Sequence, residues 1–170
     1  MRLVALAAAA AGLALAGAWQ ASARPASAQC TGAQLAGSFT VIRGSAGAGN
    51  ISYALVLRNR SQTMCTLTGL PSVRLLGASG RPLPTHVRAA FPGALTAILV
   101  RLAPGGRTRA TARFSPDVPG VGEPTQGLRC EPIAYRLRVN APGGGTATVA
   151  ITPPTPVCEH GQLQFSAYGR

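Results

Sequence analysis

The residues best able to do chemistry in this sequence are its cysteines, Cys30, Cys65, Cys130 and Cys158. A nucleophilic or redox thiol needs an activating base, but the sequence has no C-x-x-C pair and no histidine close to Cys65. If the chain is exported, an even set of cysteines indicates disulfides. We favour the sequential connectivity, which closes separations of 35 and 28 residues, while the crossed and nested connectivities stay open.

The acidic residues and histidines do not predict a metal or acid–base site. Cys158, Glu159 and His160 are consecutive, so their side chains cannot all face one ion in an extended segment. The four carboxylates lie in loops beside prolines or cysteines, and no G-x-S-x-G motif or phosphate loop is present. We therefore expect no catalytic residue, no metal and no cofactor. The alternative is an uncharacterised hydrolase assembled from Asp117, Glu123 and a histidine.

Arginine is the most informative polar residue of the chain, because all sixteen basic residues are arginines and the net charge is +12. In two segments that alternate like strands, arginines occupy one side only: Arg107, Arg109 and Arg113, then Arg136 and Arg138. If these strands share a sheet, five arginines line one solvent face. Such a face would attract a polyanion, such as an envelope phosphopolymer, an anionic lipid headgroup or an acidic protein.

Two other interpretations of the arginines must be weighed, and only the first stays open. The first is a solvated sheet face in an arginine-rich proteome, with no partner at all. The second, nucleic-acid binding, is not expected, because the alternation places the aromatic residues Phe114 and Tyr135 on the inward side, where bases could not stack on them. The patterns Asn50-Ile51-Ser52 and Asn59-Arg60-Ser61 match N-glycosylation acceptors, and we interpret both as coincidence.

The amino-terminal residues predict the compartment. Met1-Arg2 precedes an apolar run that is too short to span a bilayer stably and ends in small residues, which is typical of a secretory signal peptide over residues 1–28. We favour cleavage after Ala28, with an uncleaved anchor as the alternative. The remaining residues, 29–170, are enough for a single domain and contain no further apolar run of membrane-spanning length. A secreted, extracytoplasmic product is the expectation.

The cysteines, acids and arginines described above are predicted to lie on or between short β-strands. From Leu35 onward, alternating apolar and polar residues are interrupted every eight to twelve residues by Gly, Pro, Asn or Ser. Hairpins are predicted around residues 77–80, 104–106 and 142–145, a long loop over 115–127 and a stiff connector over 153–156. We expect an all-β, immunoglobulin-like β-sandwich of about eight or nine short, mainly antiparallel strands.

Several blocks resemble a known family. Cys30 at the start, "GSAGAGNISYALVLRNRSQTMCTLTGLPSVRLL", "VRLAPGGRTRATARF" and the segment from Cys130 to Cys158 around "LRVNAPGGG" are similar to the family called domain of unknown function 4232. The resemblance covers about residues 30–168 and implies a β-sandwich in secreted proteins and lipoproteins of actinobacteria. It implies no established activity or catalytic residue. We expect a non-catalytic domain that binds an unknown component of the cell envelope or its surroundings.

Overall fold

The structure, a computed structural model, describes residues 28–94, 98–125 and 129–169. The predicted signal peptide lies outside these residues except for Ala28. The ten strands of the described residues are β1 (Leu35–Val41), β2 (Ile51–Asn59), β3 (Cys65–Leu67), β4 (Ser72–Leu76), β5 (His86–Ala89), β6 (Val100–Leu102), β7 (Arg107–Phe114), β8 (Ala134–Asn140), β9 (Thr146–Thr155) and β10 (Gln162–Phe165). Short 3-10 turns cover Gly32–Gln34 and Pro92–Ala94. The all-β prediction is confirmed, and no helix of the described part is long and apolar enough to cross a membrane.

Eight of the strands form one curled sheet, in the order β4-β8-β9-β1-β2-β7-β10-β5, while β3 and β6 pair separately. The pairings are mainly antiparallel, with β1–β9 and β10–β5 parallel. Two stacked sheets were expected, but β1 joins the two halves because Phe39 lies opposite Leu55 of β2 and Ile151 of β9. The result is a barrel-like sheet rather than two separate layers.

The curl of the sheet brings distant strands together around an aromatic core. The ring of Phe39 on β1 lies 6.1 Å from that of Phe165 on β10, although two strands separate them in the sheet. Tyr53 packs between Phe39 and Phe114 at centroid distances of 5.1 and 5.2 Å, and its hydroxyl donates to the Pro153 carbonyl. Burying such large apolar side chains supplies most of the driving force for folding.

The alternation read from the sequence is present in β2 and β7. Tyr53, Leu55 and Leu57 of β2 are almost fully buried, and every second residue of β7 from Thr108 to Phe114 is buried as well. Since side chains of a strand alternate between its faces, the arginines between them face outward. The hairpin joining β8 and β9 also forms as predicted, with its turn closed by the Ala141 N–H donating to the Gly145 carbonyl.

Three local predictions were wrong. β6 and β7 do not form a hairpin, because β6 pairs with β3 and β7 pairs with β2. The connector over 153–156 is not separate from the sheet, since β9 continues to Thr155, which lies opposite Ala134. Tyr135 does not face inward but is 40% exposed, because an irregularity in the pairing between Ala134 and Arg136 lets Ala134 take the inward position.

Candidate functional site

Two disulfides occupy all four cysteines. Cys30 is bonded to Cys65 and Cys130 to Cys158, which is the sequential connectivity, with Cα–Cα distances of 4.8 and 5.4 Å. Since the described residues include all four, and none is free, the structure offers no thiol for nucleophilic or redox chemistry. The first bridge ties the segment before β1 to β3, and the second ties the loop before β8 to the turn after β9.

Three of the predicted arginines lie together on β7. Arg107, Arg109 and Arg113 are exposed on the outer face of this strand. Arg58 of β2 lies directly opposite Arg107, and β2 and β7 are neighbours in the sheet. On the other side of β7, Gln164 of β10 separates Arg113 from Arg88 of β5 in one row across the strands. We call this set the basic face: Arg58, Arg88, Arg107, Arg109 and Arg113.

The other two predicted arginines lie elsewhere. Arg136 and Arg138 belong to β8, which three strands separate from β7. Neighbouring strands are about 4.8 Å apart, so roughly 19 Å of curved sheet lies between the two groups. Arg138 lies opposite Arg74 of β4, which makes a second, smaller basic group. The five arginines therefore do not form one continuous face, although β7 and β8 share the sheet.

The positive charges of the arginines in the described residues are not neutralised by nearby carboxylates. The ion pairs within 4 Å among these residues involve His160, and none joins an arginine to a carboxylate. Arg60 is held by a hydrogen bond from its Nε to the Ala33 carbonyl, but it lies outside the basic face. The cross-strand pair Arg58–Arg107 therefore places like charges opposite each other, an arrangement that costs stability in a sheet.

The second cluster of polar groups is built around the buried carboxylate of Glu123. Its side chain is 2% exposed, and its oxygens accept hydrogen bonds from the backbone N–H groups of Gly120, Glu159 and His160. Burial acts to raise the pKa of Glu123, but these hydrogen bonds and the nearby His160 together lower it. Glu123 is thus an ionised anchor for the chain that follows β9.

The segment that Glu123 holds has an unusual backbone. Glu159 and His160 adopt left-handed conformations with φ of 56° and 57°, followed by Gly161 with φ of 77°. For non-glycine residues this region costs roughly 1–2 kcal/mol each, so the hydrogen bonds to Glu123 offset strain. Gly161 is needed for a second reason, because a Cβ at this position would collide with the carbonyl of Pro84.

His160 and Glu131 complete this cluster. The Nδ1 atom of His160 lies 3.6 Å from Glu123 Oε1 and 3.9 Å from Glu131 Oε1, while its Nε2 lies 3.0 Å from the Val121 carbonyl oxygen. Burial and the negative charge of Glu123 raise the pKa of Glu131, against the attraction of His160. Asp117, the other acid of the hydrolase alternative, is exposed and lines a hollow with Arg129 and Cys130, and it is not part of the converging group of Glu123, Glu131 and His160.

Sequence reasoning missed parts of both clusters. Arg88 was overlooked because the four-residue strand β5 carries too short an alternation to recognise. The Glu131–His160 pair had a signal in the sequence: Glu131 directly follows Cys130, and His160 lies two residues after Cys158. A bridge between the cysteines necessarily brings the residues that follow them together.

Comparison with known protein families assigns the chain to one of them. The family described as Domain of unknown function (DUF4232) matches residues 30–169, nearly the whole described part of the chain. The chain belongs to the DUF4232 family. The matched range runs from the first cysteine of the DUF4232 domain to the segment after β10, so it contains both disulfides, the basic face and the Glu123 cluster. No curated protein and no solved structure matches the DUF4232 chain.

Proposed function

We propose that this DUF4232 domain is an exported, non-catalytic binding module that recognises a polyanionic component of the cell envelope or its surroundings through the basic face. The observation that carries the proposal is the exposed cross-strand pair Arg58–Arg107, extended by Arg109 along β7, with no carboxylate partner among the described residues. An anion bound between two arginines would offset their repulsion. Guanidinium groups suit this role because each can bind a phosphate or carboxylate through two N–H donors.

The dimensions of the basic face favour a polymer over a single small anion. Arg107 and Arg113 are six residues apart on β7, which corresponds to roughly 20 Å at the rise of a strand. Arg88 lies two strands from Arg113, or roughly 10 Å across the sheet. Successive charges of a phosphopolymer could contact arginines along this length at the same time.

Export is part of the same proposal. Two disulfides are typical of proteins outside the reducing cytoplasm. Residues 1–28 have the sequence pattern of a signal peptide.

We also infer that the fold is related to immunoglobulin-like sandwiches. β1 pairs with β9 in parallel and with β2 antiparallel, as a strand shared between two layers would.

The structural role of Glu123 and the position of Asp117 support a non-catalytic function. Glu123 accepts three backbone hydrogen bonds that hold its carboxylate in place, and its lowered pKa makes it a weak base. Asp117 is not among the residues whose potential ligand atoms converge with those of Glu123. A hydrolase built from Asp117, Glu123 and a histidine is therefore not the function that the geometry favours.

A charge-matched comparison tests the basic face. The triple variant Arg58→Ser, Arg107→Ser, Arg109→Ser removes three positive charges from the basic face. The triple variant Arg74→Ser, Arg136→Ser, Arg138→Ser removes three from the second, smaller basic group on β4 and β8. Binding to an immobilised glycerol-phosphate polymer, with neutral dextran as the reference, is measured over a series of salt concentrations. We expect the first variant to lose about tenfold or more in affinity, with a weaker salt dependence, and the second to lose much less. Equal losses in the two variants, or none, would refute a specific role of the basic face.

A further inference from the structure

Three side chains from separate segments direct acceptor atoms toward one point beside the second disulfide. They are His160 in the left-handed turn, Glu131 directly after Cys130, and Glu123 in the loop that follows β7. One potential ligand atom from each lies within 4.8 Å of the other two. The consecutive residues 158–160 cannot all face one ion in an extended segment, but this set takes only His160 from them.

The tautomer of His160 follows from its contact with the backbone. Its Nε2 atom lies 3.0 Å from the carbonyl oxygen of Val121, and a carbonyl oxygen can only accept a hydrogen bond. Nε2 therefore carries the proton, and in the neutral ring Nδ1 presents a lone pair. A ring N–H donated to a backbone carbonyl is how metal-binding histidines are usually oriented, with the other nitrogen left for the ion.

The Nδ1 atom of His160 has two carboxylate oxygens near it. Nδ1 lies 3.6 Å from Glu123 Oε1 and 3.9 Å from Glu131 Oε1, distances too long for direct hydrogen bonds. Zinc bonds to nitrogen and oxygen are about 2.0–2.2 Å long, so two ligands on one tetrahedral ion are roughly 3.3 Å apart. A small rotation of the His160 ring, whose side chain is 55% exposed, would bring these atoms to that spacing.

The surroundings fix two of the three ligands in place. The Glu123 carboxylate is held by three backbone N–H groups and the disulfide fixes Cys130, next to Glu131, against Cys158, two residues before His160. Side chains of Glu123 and Glu131 are only 2% and 13% exposed, and no arginine among the described residues lies within ion-pair distance of them. Two ionised carboxylates held this close in a poorly solvated place repel each other, and a cation bound between them would offset that repulsion.

We propose that Glu123, Glu131 and His160 form a binding site for a divalent transition metal of the Zn²⁺ class, with one nitrogen and two oxygen ligands from the protein. The remaining coordination position faces solvent on the side of the exposed His160 ring, where a water or an anionic group of a partner could complete the sphere. This site is independent of the basic face, so either proposal can fail without the other.

Titration calorimetry with Zn²⁺ tests the site on the oxidised protein, prepared without a polyhistidine tag and at neutral pH. His160→Gln and Glu131→Gln remove one ligand each. His86→Gln and Glu159→Gln are the matched controls, since His86 lies on β5 and the carboxylate of Glu159 instead accepts a hydrogen bond from Gln162. Glu123 is left unchanged because its carboxylate also holds the backbone.

The expected result is one Zn²⁺ per chain in the unmodified protein and in both controls. His160→Gln and Glu131→Gln should each weaken binding by at least tenfold, with circular dichroism showing that both variants remain folded. Absence of saturable Zn²⁺ binding in the unmodified protein would overturn the proposal. Retention of full affinity in folded His160→Gln or Glu131→Gln would overturn it as well.

Discussion

The side-chain amide of Asn59 donates a hydrogen bond to the carbonyl oxygen of Leu102 at 3.0 Å, which joins the end of β2 to β6. The same amide donates to the Thr63 carbonyl at 2.7 Å, and its oxygen accepts from the backbone and hydroxyl of Ser61. Asn59 is fully buried, so all its polar atoms are satisfied within the protein, and in the folded domain its amide nitrogen is closed to modification. One side chain thus connects the curled sheet to the two-stranded sheet of β3 and β6.

Replacement of Asn59 by alanine should be among the most destabilising polar substitutions. Losing the amide leaves the buried Leu102 carbonyl without this donor, and an unsatisfied buried group costs about 1–3 kcal/mol. We expect the free energy of unfolding in urea to fall by about 2–4 kcal/mol in total. Asn50→Ala is the control, because the Asn50 amide donates only to the nearby Ala48 carbonyl in an exposed setting. Equal effects of the two substitutions would contradict this assignment.

Glu123→Gln should destabilise the turn after β9. The amide keeps one acceptor oxygen but loses the charge that strengthens the hydrogen bonds from Gly120, Glu159 and His160, so a loss of about 2–3 kcal/mol is expected in urea unfolding. Glu159→Gln, which changes an exposed carboxylate in the same turn but keeps its backbone N–H, should have little effect. A comparable loss in both would show that overall charge matters, not the three hydrogen bonds.

The pH dependence of the unmodified protein should show the contribution of Glu123. A carboxyl group whose folded pKa is lowered stabilises the native state above its ordinary pKa, and this stability is lost as the pH falls through the folded value. We therefore expect stability to decline below about pH 4.5, and to decline less in Glu123→Gln. Denaturant midpoints of both proteins between pH 3 and pH 7 check this, and parallel curves would contradict it.

Tyr168 should make the domain sensitive to alkali. This residue is buried, and burial raises the pKa of its hydroxyl well above the ordinary value of 10.0. Above pH 10 the unfolded state loses this proton first, so stability should fall by up to about 1.4 kcal/mol per pH unit. The slope should be shallower in Tyr168→Phe, while Tyr135→Phe, at an exposed position, should behave like the unmodified protein. Thermal unfolding between pH 9 and pH 11 would measure both slopes.

Each disulfide should stabilise the domain through the loop it closes. Loops of 35 and 28 residues correspond to about 3.8 and 3.6 kcal/mol in the chain-entropy estimate. The double variants Cys30→Ala/Cys65→Ala and Cys130→Ala/Cys158→Ala should therefore lose similar amounts of stability. The second should in addition raise the hydrogen exchange of the backbone N–H groups of Glu159 and His160, because it releases the turn that Glu123 holds.

The strands of this protein could be predicted from the sequence because their alternation is strong. In the run from Ile51 to Asn59, the spacing of the apolar residues is enough to indicate which side chains are buried. Pairing is harder, because the turn after β6 looks like a hairpin turn, and only long-range contacts send β6 to β3 and β7 to β2. The continuity of the sheet through β1 depends in the same way on partners far away in the sequence.

For the candidate sites as well, side-chain orientation could be predicted from the local sequence pattern, but the contacts between distant segments could not. The outward position of Arg107 and Arg109 followed from period-two alternation, but the separation of β7 from β8 needed the strand order. An irregular pairing at Ala134 turned Tyr135 outward, and strict alternation cannot anticipate it. His160 meets Glu131 only because two cysteines far apart in sequence are joined.

The positions of β1 and β10 have a consequence for how the chain acquires its structure. β1 lies inside the sheet between β9 and β2, and β10 lies between β7 and β5. A growing chain that ends before Gln162 leaves β7 and β5 without the strand that joins them, and one that ends before Thr146 leaves β1 unpaired along one edge. Such a topology has a high contact order and folds slowly. The native sheet therefore becomes accessible only after β10 has been synthesised, because this strand joins β7 to β5.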